Sequence, residues 1–260
     1  MGDDLPDLVA LRHQRILELA RHAGSVTVEA LATALEVTPQ TIRRDLNQLA
    51  SRAMLSRVHG GAVVTSGVDN LDREARRQVA AGAKAAIGVA AAALVPNGAS
   101  LFINIGTTTE AIAAALVHHR HLLVVTNNLN VADILGGVPT IEVVVAGGRV
   151  RASDRAVVGA LAMDFLRGFK LDFALIGASA IDAEGTLLDF DMDEVRVSQT
   201  IIEQARSVIL ATDQTKFGRP APVRIAEIGV VDHLVTDRLL HPEIAAACAT
   251  ARVQVHQTSA

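Results

Sequence analysis

Apolar positions in the first fifty residues recur at helical spacing in three separate stretches. Leu11, Ile16 and Leu19 share one face of a helix over 12–21, which Gly24 ends. Val26 reads as a short extended bridge. Thr27 is an N-cap for a second helix over 28–35, where Leu31 and Leu35 sit at i, i+4 spacing. A short turn, Glu36-Val37-Thr38, follows. Thr38 is an N-cap and Pro39 suits a first helical position, because its missing N–H would be unpaired there anyway. The third helix runs over 39–52. At 100° per residue, Ile42, Leu46, Leu49 and Ala53 fall on one narrow face, and Gln40, Arg44, Asn47 and Ser51 fall opposite, with Thr41 and Arg43 on the flanks. Two short strands, 54–58 and 62–64, are joined by His59-Gly60-Gly61, a tight turn in which glycine supplies positive φ. Helix, helix, turn, helix and β-hairpin make the order of a winged helix-turn-helix over 1–64.

A small polar stretch at 65–70 reads as a linker, after which strand and helix patterns alternate through 65–260. One long Ala-rich helix is predicted over 71–94. Strands are predicted over 101–105, 122–125, 141–145, 171–176, 208–211, 231–235 and 253–256. Helices are predicted from Thr107 to about Val117, after Asn128, and over 194–205. Apolar strands alternating with helices imply a parallel sheet covered on both faces.

Composition narrows the function. Half of the 260 residues are hydrophobic, yet Trp and Tyr are absent and only six Phe occur, which argues against aromatic stacking on single-stranded nucleic acid. The single cysteine, Cys248, leaves no internal disulfide and fits a reducing cytoplasm. No secretory leader is expected at the acidic start. The apolar run over 85–95 stops at Pro96, short of the ~20 residues a membrane span needs. The net charge is −4, but it is unevenly spread: residues 1–65 hold seven Arg against seven acids, and the remainder carries 17 − 21 = −4. Within 38–60, Arg43, Arg44, Arg52 and Arg57 face one acid, Asp45. A local basic patch is what a groove-binding module requires.

In an open α/β sheet, ligands bind at the carboxyl ends of strands. Here those ends carry Gly106-Thr107-Thr108-Thr109, Thr126-Asn127-Asn128, Gly147-Gly148-Arg149, Gly177-Ala178-Ser179 and Asp213-Gln214-Thr215-Lys216. Hydroxyls and backbone N–H groups at a helix start suit a phosphate, and Lys216 adds a full charge. Gly, Thr and Asn are also ordinary turn and cap residues. An acidic loop holding Asp189, Asp191, Asp193 and Glu194 is either a solvated helix start or a contact for ligand hydroxyls. His118, His119 and His121 read as a solvated surface turn. No metal set is expected, because no nearby His completes one with the acidic loop, and no cofactor site is expected, because neither GxxxxGK[ST] nor GxGxxG appears.

"VTPQTIRRDLNQL" with "RVHGGA" resembles the N-terminal signature of the DeoR family of bacterial transcriptional regulators. "LFINIGTTTEAIAAAL", "VVTNNLNVA", "VVVAGGRVR", "IDAEGTLLDFDMDEVR" and "DQTKFGR" are similar to that family's sugar-phosphate-sensing domain. Within the family the motifs are most similar to the glycerol-3-phosphate repressors. Asn104 stands where that branch has an acid, Met192 and Asp193 replace an aromatic–His pair, and Thr109 replaces a proline. The resemblance implies a C-terminal fold of the ribose-5-phosphate isomerase and CoA transferase type. It implies a repressor of double-stranded operator DNA, released by a small phosphorylated polyol with glycerol 3-phosphate as first choice. It implies Gly106, Thr107, Thr108, Thr126, Asn127, Asn128 and Lys216 at the effector, with Asp191 and Glu194 nearby, and no catalytic residue.

On the DNA side, Gln40 and Arg44 are the candidates for base edges. Thr38, Thr41, Arg43 and Asn47 are candidates for phosphates, and Arg57 and His59 for backbone or minor groove. Arg43 has a competing use as an ion-pair partner of Glu29 or Glu36. A homo-oligomer, dimer or tetramer, is expected on paired half-sites. Two rival readings remain: an isomerase-like enzyme using Asp191, Glu194 and Lys216 for proton transfer, and a DNA-organising protein without an effector.

Overall fold

The structure is a computed structural model that describes residues 8–23, 25–51, 55–58, 61–63, 76–77 and 80–258. The chain divides into two compact units, 1–75 and 76–260. In the first, α1 (Leu8–Ala23), β1 (Ser25–Thr27), α2 (Val28–Ala34), α3 (Pro39–Ser51), β2 (Ser56–Val58) and β3 (Gly61–Val63) form a winged helix. Thr27 caps α2 as its sequence position suggests, its hydroxyl accepting from Ala30 N at 3.1 Å. The three helices bury Ile16, Leu17, Ala20, Val28, Leu31, Ile42, Leu46 and Leu49 together. Leu11, expected on the buried face of α1, is half exposed; Leu17 and His13 are buried instead. The wing is antiparallel, pairing Arg57 with Ala62, and β1 adds to its other side as the order β1-β3-β2. Gly61 is needed for close approach rather than for positive φ, because a Cβ there would lie 2.1 Å from the Val26 carbonyl oxygen. Gly60, Ala53 and Val64 lie outside the described residues.

The second unit is built on seven parallel strands. In chain order these are β4 (Ser100–Ile103), β5 (Leu122–Thr126), β6 (Ile141–Val145), β9 (Leu171–Ile176), β12 (Ala205–Ala211), β14 (His233–Thr236) and β15 (Gln254–Gln257), and across the sheet they run β15-β14-β12-β9-β4-β5-β6. Strand alternation sends neighbouring residues to opposite layers. Leu101 and Ile103 pack with Ile87, Ile112, Leu116, Val131 and Leu135 from α4 (Ala81–Ala92), α5 (Thr107–Leu116) and α6 (Leu129–Leu135). Phe102 between them faces the other layer with Leu166, Val197, Ile201 and Ile244, from α7 (Ala160–Arg167), α8 (Met192–Glu203) and α9 (Pro242–Ala251). Short strands decorate the carboxyl edge: a hairpin of β7 (Arg149–Arg151) and β8 (Ala156–Val158), and a three-stranded sheet of β10 (Ala180–Ile181), β11 (Thr186–Asp189) and β13 (Val223–Glu227).

Several expected boundaries move. The long helix over 71–94 is not continuous. Residues 76 and 77 are helical, but Ala80 adopts a left-handed conformation (φ 54°) and α4 starts after it. In an unbroken helix the Arg76 carbonyl would accept from the N–H of residue 80. Here the Lys84 ammonium on α4 turns back and donates to it. The helix expected over 194–205 starts two residues earlier, capped by Asp191, and yields Ala205 to β12. His119 is not solvated: it is half-buried, with Nε2 3.0 Å from the Val95 carbonyl oxygen. Helices α7 and α9 and all the edge hairpins have no counterpart among the expected elements.

One polar cluster fixes α3 against α1. Asp45 is 2 % exposed. It accepts from Arg12 Nε at 2.6 Å and Nη2 at 3.1 Å, and lies 3.1 Å from His13 Nε2. Burial opposes its ionisation, and the bonds from Arg12 and His13 more than offset this, so its carboxyl sits below the usual range. Removing one member leaves buried charge uncompensated. Asp45→Ala is therefore expected to cost about 3 kcal/mol, read by urea denaturation. A group with a depressed carboxylate pKa stabilises above its unfolded value and loses that contribution as pH falls through the folded one. The wild-type unit should thus lose its advantage over the variant below pH ~4, which circular dichroism across pH 2–6 would follow.

Candidate functional site

The exposed side of α3 carries Gln40, Arg43, Arg44 and Asn47, while Ile42, Leu46 and Leu49 are fully buried beneath. This is the division the periodicity predicts. Among the described residues, no hydrogen bond or ion pair joins Arg43 to Glu29 or Glu36. Thr38 already has local work: its hydroxyl accepts from Thr41 N at 3.1 Å and meets the Thr41 hydroxyl at 2.9 Å, which caps α3. Arg57 stands at the middle of β2. His59 lies outside the described residues.

The second unit holds a cleft at the carboxyl edge of its sheet, with about 410 Å³ of space including its open mouth. The strand order explains where it lies. From β4 the chain steps to β5 and β6 on one side, then returns to place β9, β12, β14 and β15 on the other. The crevice between β4 and β9 is the switch point at which such sheets receive ligands. Ile105, Gly106, Thr107, Thr108 and Thr109 follow β4 and form one wall; Gly177, Ala178 and Ser179 follow β9; Ala211 ends β12, and Lys216 closes a short 3-10 turn after it. Arg76, Asp189 and Glu194 complete the lining. Gly106 (φ 144°) leads into α5, so the helix's first N–H groups open on the cleft. The Thr109 hydroxyl donates to the Asn104 and Gly106 carbonyls at 2.7 and 2.8 Å, which holds this turn.

The cleft is lined by groups of both charges. Lys216 is cationic, but burial pushes its amine down to about 7; Asp213 pulls upward, while Arg219, Lys84 and Arg76 push further down. Asp189 and Glu194 are acidic. Burial, then the charge of Asp189, raises the Glu194 carboxyl to about 8 against the pull of Arg151 and Arg76. Burial likewise raises Asp189, opposed by hydrogen bonds from Phe190 N and Ser179 and by Arg76 and Lys216. Arg151 on β7 holds Glu194 in place: it meets Asp154 at 2.5 Å, Glu194 at 2.7 Å and Asp191 at 2.9 Å. Burial works against its charge and the acids outweigh that, so its guanidinium stays charged.

The structure thus gathers Gly106, Thr107, Thr108, Glu194 and Lys216 into one cleft. Thr126, Asn127, Asn128 and Asp191 do not line it. Thr126 is buried, donating to the Ile103 carbonyl at 2.6 Å. The Asn127 amide donates to the Val157 carbonyl at 3.2 Å, and the Asn128 side chain caps α6 through Asn130 N at 3.0 Å. They follow β5, on the far side of β4 from the crevice. Asp191 caps α8 by accepting from Glu194 N at 2.9 Å and pairs with Arg151, so it positions Glu194 from behind. Arg76 was absent from the expected site because its stretch reads as plain helix. Ser179 and Asp189 stood in loops marked as candidates without being singled out. Among the described residues, no group of three or more His, Cys, Asp or Glu is placed to hold a metal ion. No described helix is long and apolar enough to cross a membrane.

Comparison with known proteins matches residues 12–68 to the DeoR-like helix-turn-helix domain and residues 79–238 to the DeoR C terminal sensor domain. Among curated relatives, the glycerol-3-phosphate regulon repressor of Haemophilus influenzae is 47% identical over 227 residues, covering 87% of this chain and 89% of the relative. The protein of that name from Escherichia coli is 44% identical over 226 residues, covering 87% and 90%. Of solved structures, ribose 5-phosphate isomerase A from Neisseria gonorrhoeae is similar over 52% of each chain, at 13% identity and a TM-score of 0.38. With a helix-turn-helix domain and a sensor domain both matched in order, the chain belongs to the DeoR family of transcriptional regulators.

Proposed function

We propose that the protein is a cytoplasmic repressor that binds operator DNA through α3 and releases it on binding glycerol 3-phosphate or a closely related phosphorylated polyol. The observation that carries the ligand class is the mixed charge of the cleft. The α5 N-terminus and Lys216 suit a phosphate, whereas Asp189 and Glu194 suit hydroxyls, and the charge of Asp189 that raises Glu194 also repels a second anionic group. A polyol with one phosphate satisfies both kinds of group, and a phosphorylated acid or a bisphosphate does not. The names of the relatives support the same choice. The protein would act as a symmetric homo-oligomer, dimer or tetramer, since paired half-sites multiply the few contacts of one winged helix.

Ligand that binds only the folded state raises the melting temperature. Glycerol 3-phosphate is expected to do so at concentrations where 3-phosphoglycerate, which differs by a carboxylate, does not. Equal shifts from both compounds would remove Asp189 and Glu194 from recognition. The same preparations should show no turnover of phosphorylated sugars in a coupled assay, because the cleft would serve sensing.

Affinity for the ligand should fall as pH rises from 6.5 to 8.5. Below about 7 the empty cleft presents a charged Lys216, and above it the amine is largely neutral; Glu194 becomes anionic through about 8. Both changes disfavour an anion. The ligand's own second phosphate ionisation, at ~6, acts mainly below this window. Lys216→Met should bind weakly at every pH and lose part of the slope, as measured by calorimetry.

For DNA, Arg44 and Gln40 are the proposed base readers, Thr38, Thr41, Arg43 and Asn47 the phosphate contacts, and Arg57 and His59 the wing contacts. Arg44→Ala should reduce discrimination between a selected operator and random duplex by about 1–3 kcal/mol while preserving the helical signal. Arg43→Ala should weaken both duplexes alike and flatten the salt dependence.

A further inference from the structure

We infer that Arg76 is an effector-binding residue and that, through it, an anion in the cleft acts on the segment leading to the DNA-binding unit. This rests on the reading of the cleft as the effector site.

Three observations converge on Arg76. It lines the cleft with Thr107, Thr108, Asp189, Glu194 and Lys216. Its Nε is buried and has no hydrogen-bond partner among the described residues. Its charge acts on the acidic groups of the cleft, Asp189 and Glu194, and on Lys216. A buried guanidinium N–H left without an acceptor is an unusual arrangement. A phosphate supplies what is missing: planar N–H donors match its oxygens two at a time, which an ammonium cannot do.

Position in the chain gives this contact its consequence. Arg76 is the first residue of the second unit, directly following the stretch that joins it to the winged helix. Its carbonyl is held by the Lys84 ammonium, whose helix α4 packs on α5, the helix that opens on the cleft. Gly88 on α4 permits that packing, since a Cβ there would lie 2.6 Å from the Ala111 carbonyl oxygen on α5. A ligand shifts an equilibrium only through a group whose contacts differ between the two states. Arg76 is such a group: it is short of an acceptor when the cleft is empty and gains one when an anion enters, and its own backbone is the entry point of the connecting segment. Lys216, from the short turn after β12, holds the anion from a part of the chain remote in sequence from that segment.

The test separates binding from coupling. The operator is the duplex that the wild-type protein selects from a random pool, and the probes are glycerol 3-phosphate and inorganic phosphate. For wild type, Arg76→Gln and Arg76→Lys, operator affinity is measured without probe and at saturating probe, and probe affinity is measured by calorimetry. The ratio of the two operator affinities is the coupling factor. Arg76→Lys, which keeps the charge and loses the planar fork, is expected to bind probe within about tenfold of wild type while its coupling factor falls severalfold. Arg76→Gln should bind more weakly still and bring the factor close to one. A wild-type coupling factor at saturation in Arg76→Lys overturns the inference, whatever Arg76→Gln does. If no probe changes the melting temperature or operator affinity of the wild type, the effector reading itself fails and takes this inference with it.

Discussion

The position of β4 at the middle of the sheet governs the chemistry of the second unit. Because the chain leaves β4 toward β5 and later returns to lay β9 against its other edge, the loops after β4 and β9 diverge and leave a crevice between them. The backbone N–H groups at the start of α5 face that crevice, since α5 follows β4 directly through Asn104, Ile105 and Gly106. Further lining groups are brought there by elements around these two strands. Lys216 comes from the turn after β12, next to β9; Asp189 comes from β11; and Glu194 comes from the first turn of α8.

Polar groups buried at this edge include those that hold loops and those that line the cleft. Thr126, Thr109, Asn104 and Asn130 spend their hydrogen bonds on backbone or neighbouring side chains; Asn104 donates to Ser198 at 2.8 Å and Asn130 to Glu110 at 3.0 Å. Such bonds are worth more as geometry than as net stability. Arg151 does similar work with charge. Its fork joins Asp154, Asp191 and Glu194, so the β7–β8 hairpin and the start of α8 fix one another. What remains in the cleft is unbalanced: a lysine amine lowered to about 7, two carboxyls with raised pKa values and an arginine whose Nε lacks an acceptor among the described residues. Groups that stay unsatisfied in the folded state are those whose energy a ligand can change.

The winged helix solves a different problem, that of aiming a surface. Its apolar face sets which side of α3 is buried, but apolar contact is not directional and tolerates small rotations. The carboxylate of Asp45, one residue beyond Arg44, adds direction because it takes bonds from Arg12 and His13 on α1. The arginine on the outer face is thus presented at an angle set by the buried acid beside it. Thr38 and Thr41 set the start of the same helix through their mutual cap.

The sequence by itself determined which residues make the winged helix, which side of α3 is exposed, and that parallel strands alternate with helices beneath two covering layers. These follow from local periodicity and capping, which act over a few residues. It also determined that Gly106, Thr107, Thr108 and Lys216 follow strand ends, the edge at which open sheets of this kind receive ligands. Tertiary structure decided which strand ends face one another, because strand order is a long-range property that periodicity does not encode. That is why Thr126, Asn127 and Asn128, alike in composition to the β4 loop, lie on the far side of β4 from the cleft, while Arg76, in a stretch that reads as uninterrupted helix, lines it. The left-handed Ala80 breaks that helix, and the Lys84 bond to the Arg76 carbonyl stands in for the hydrogen bond the helix would have made. Neither can be read from residue spacing, since both depend on where α4 packs.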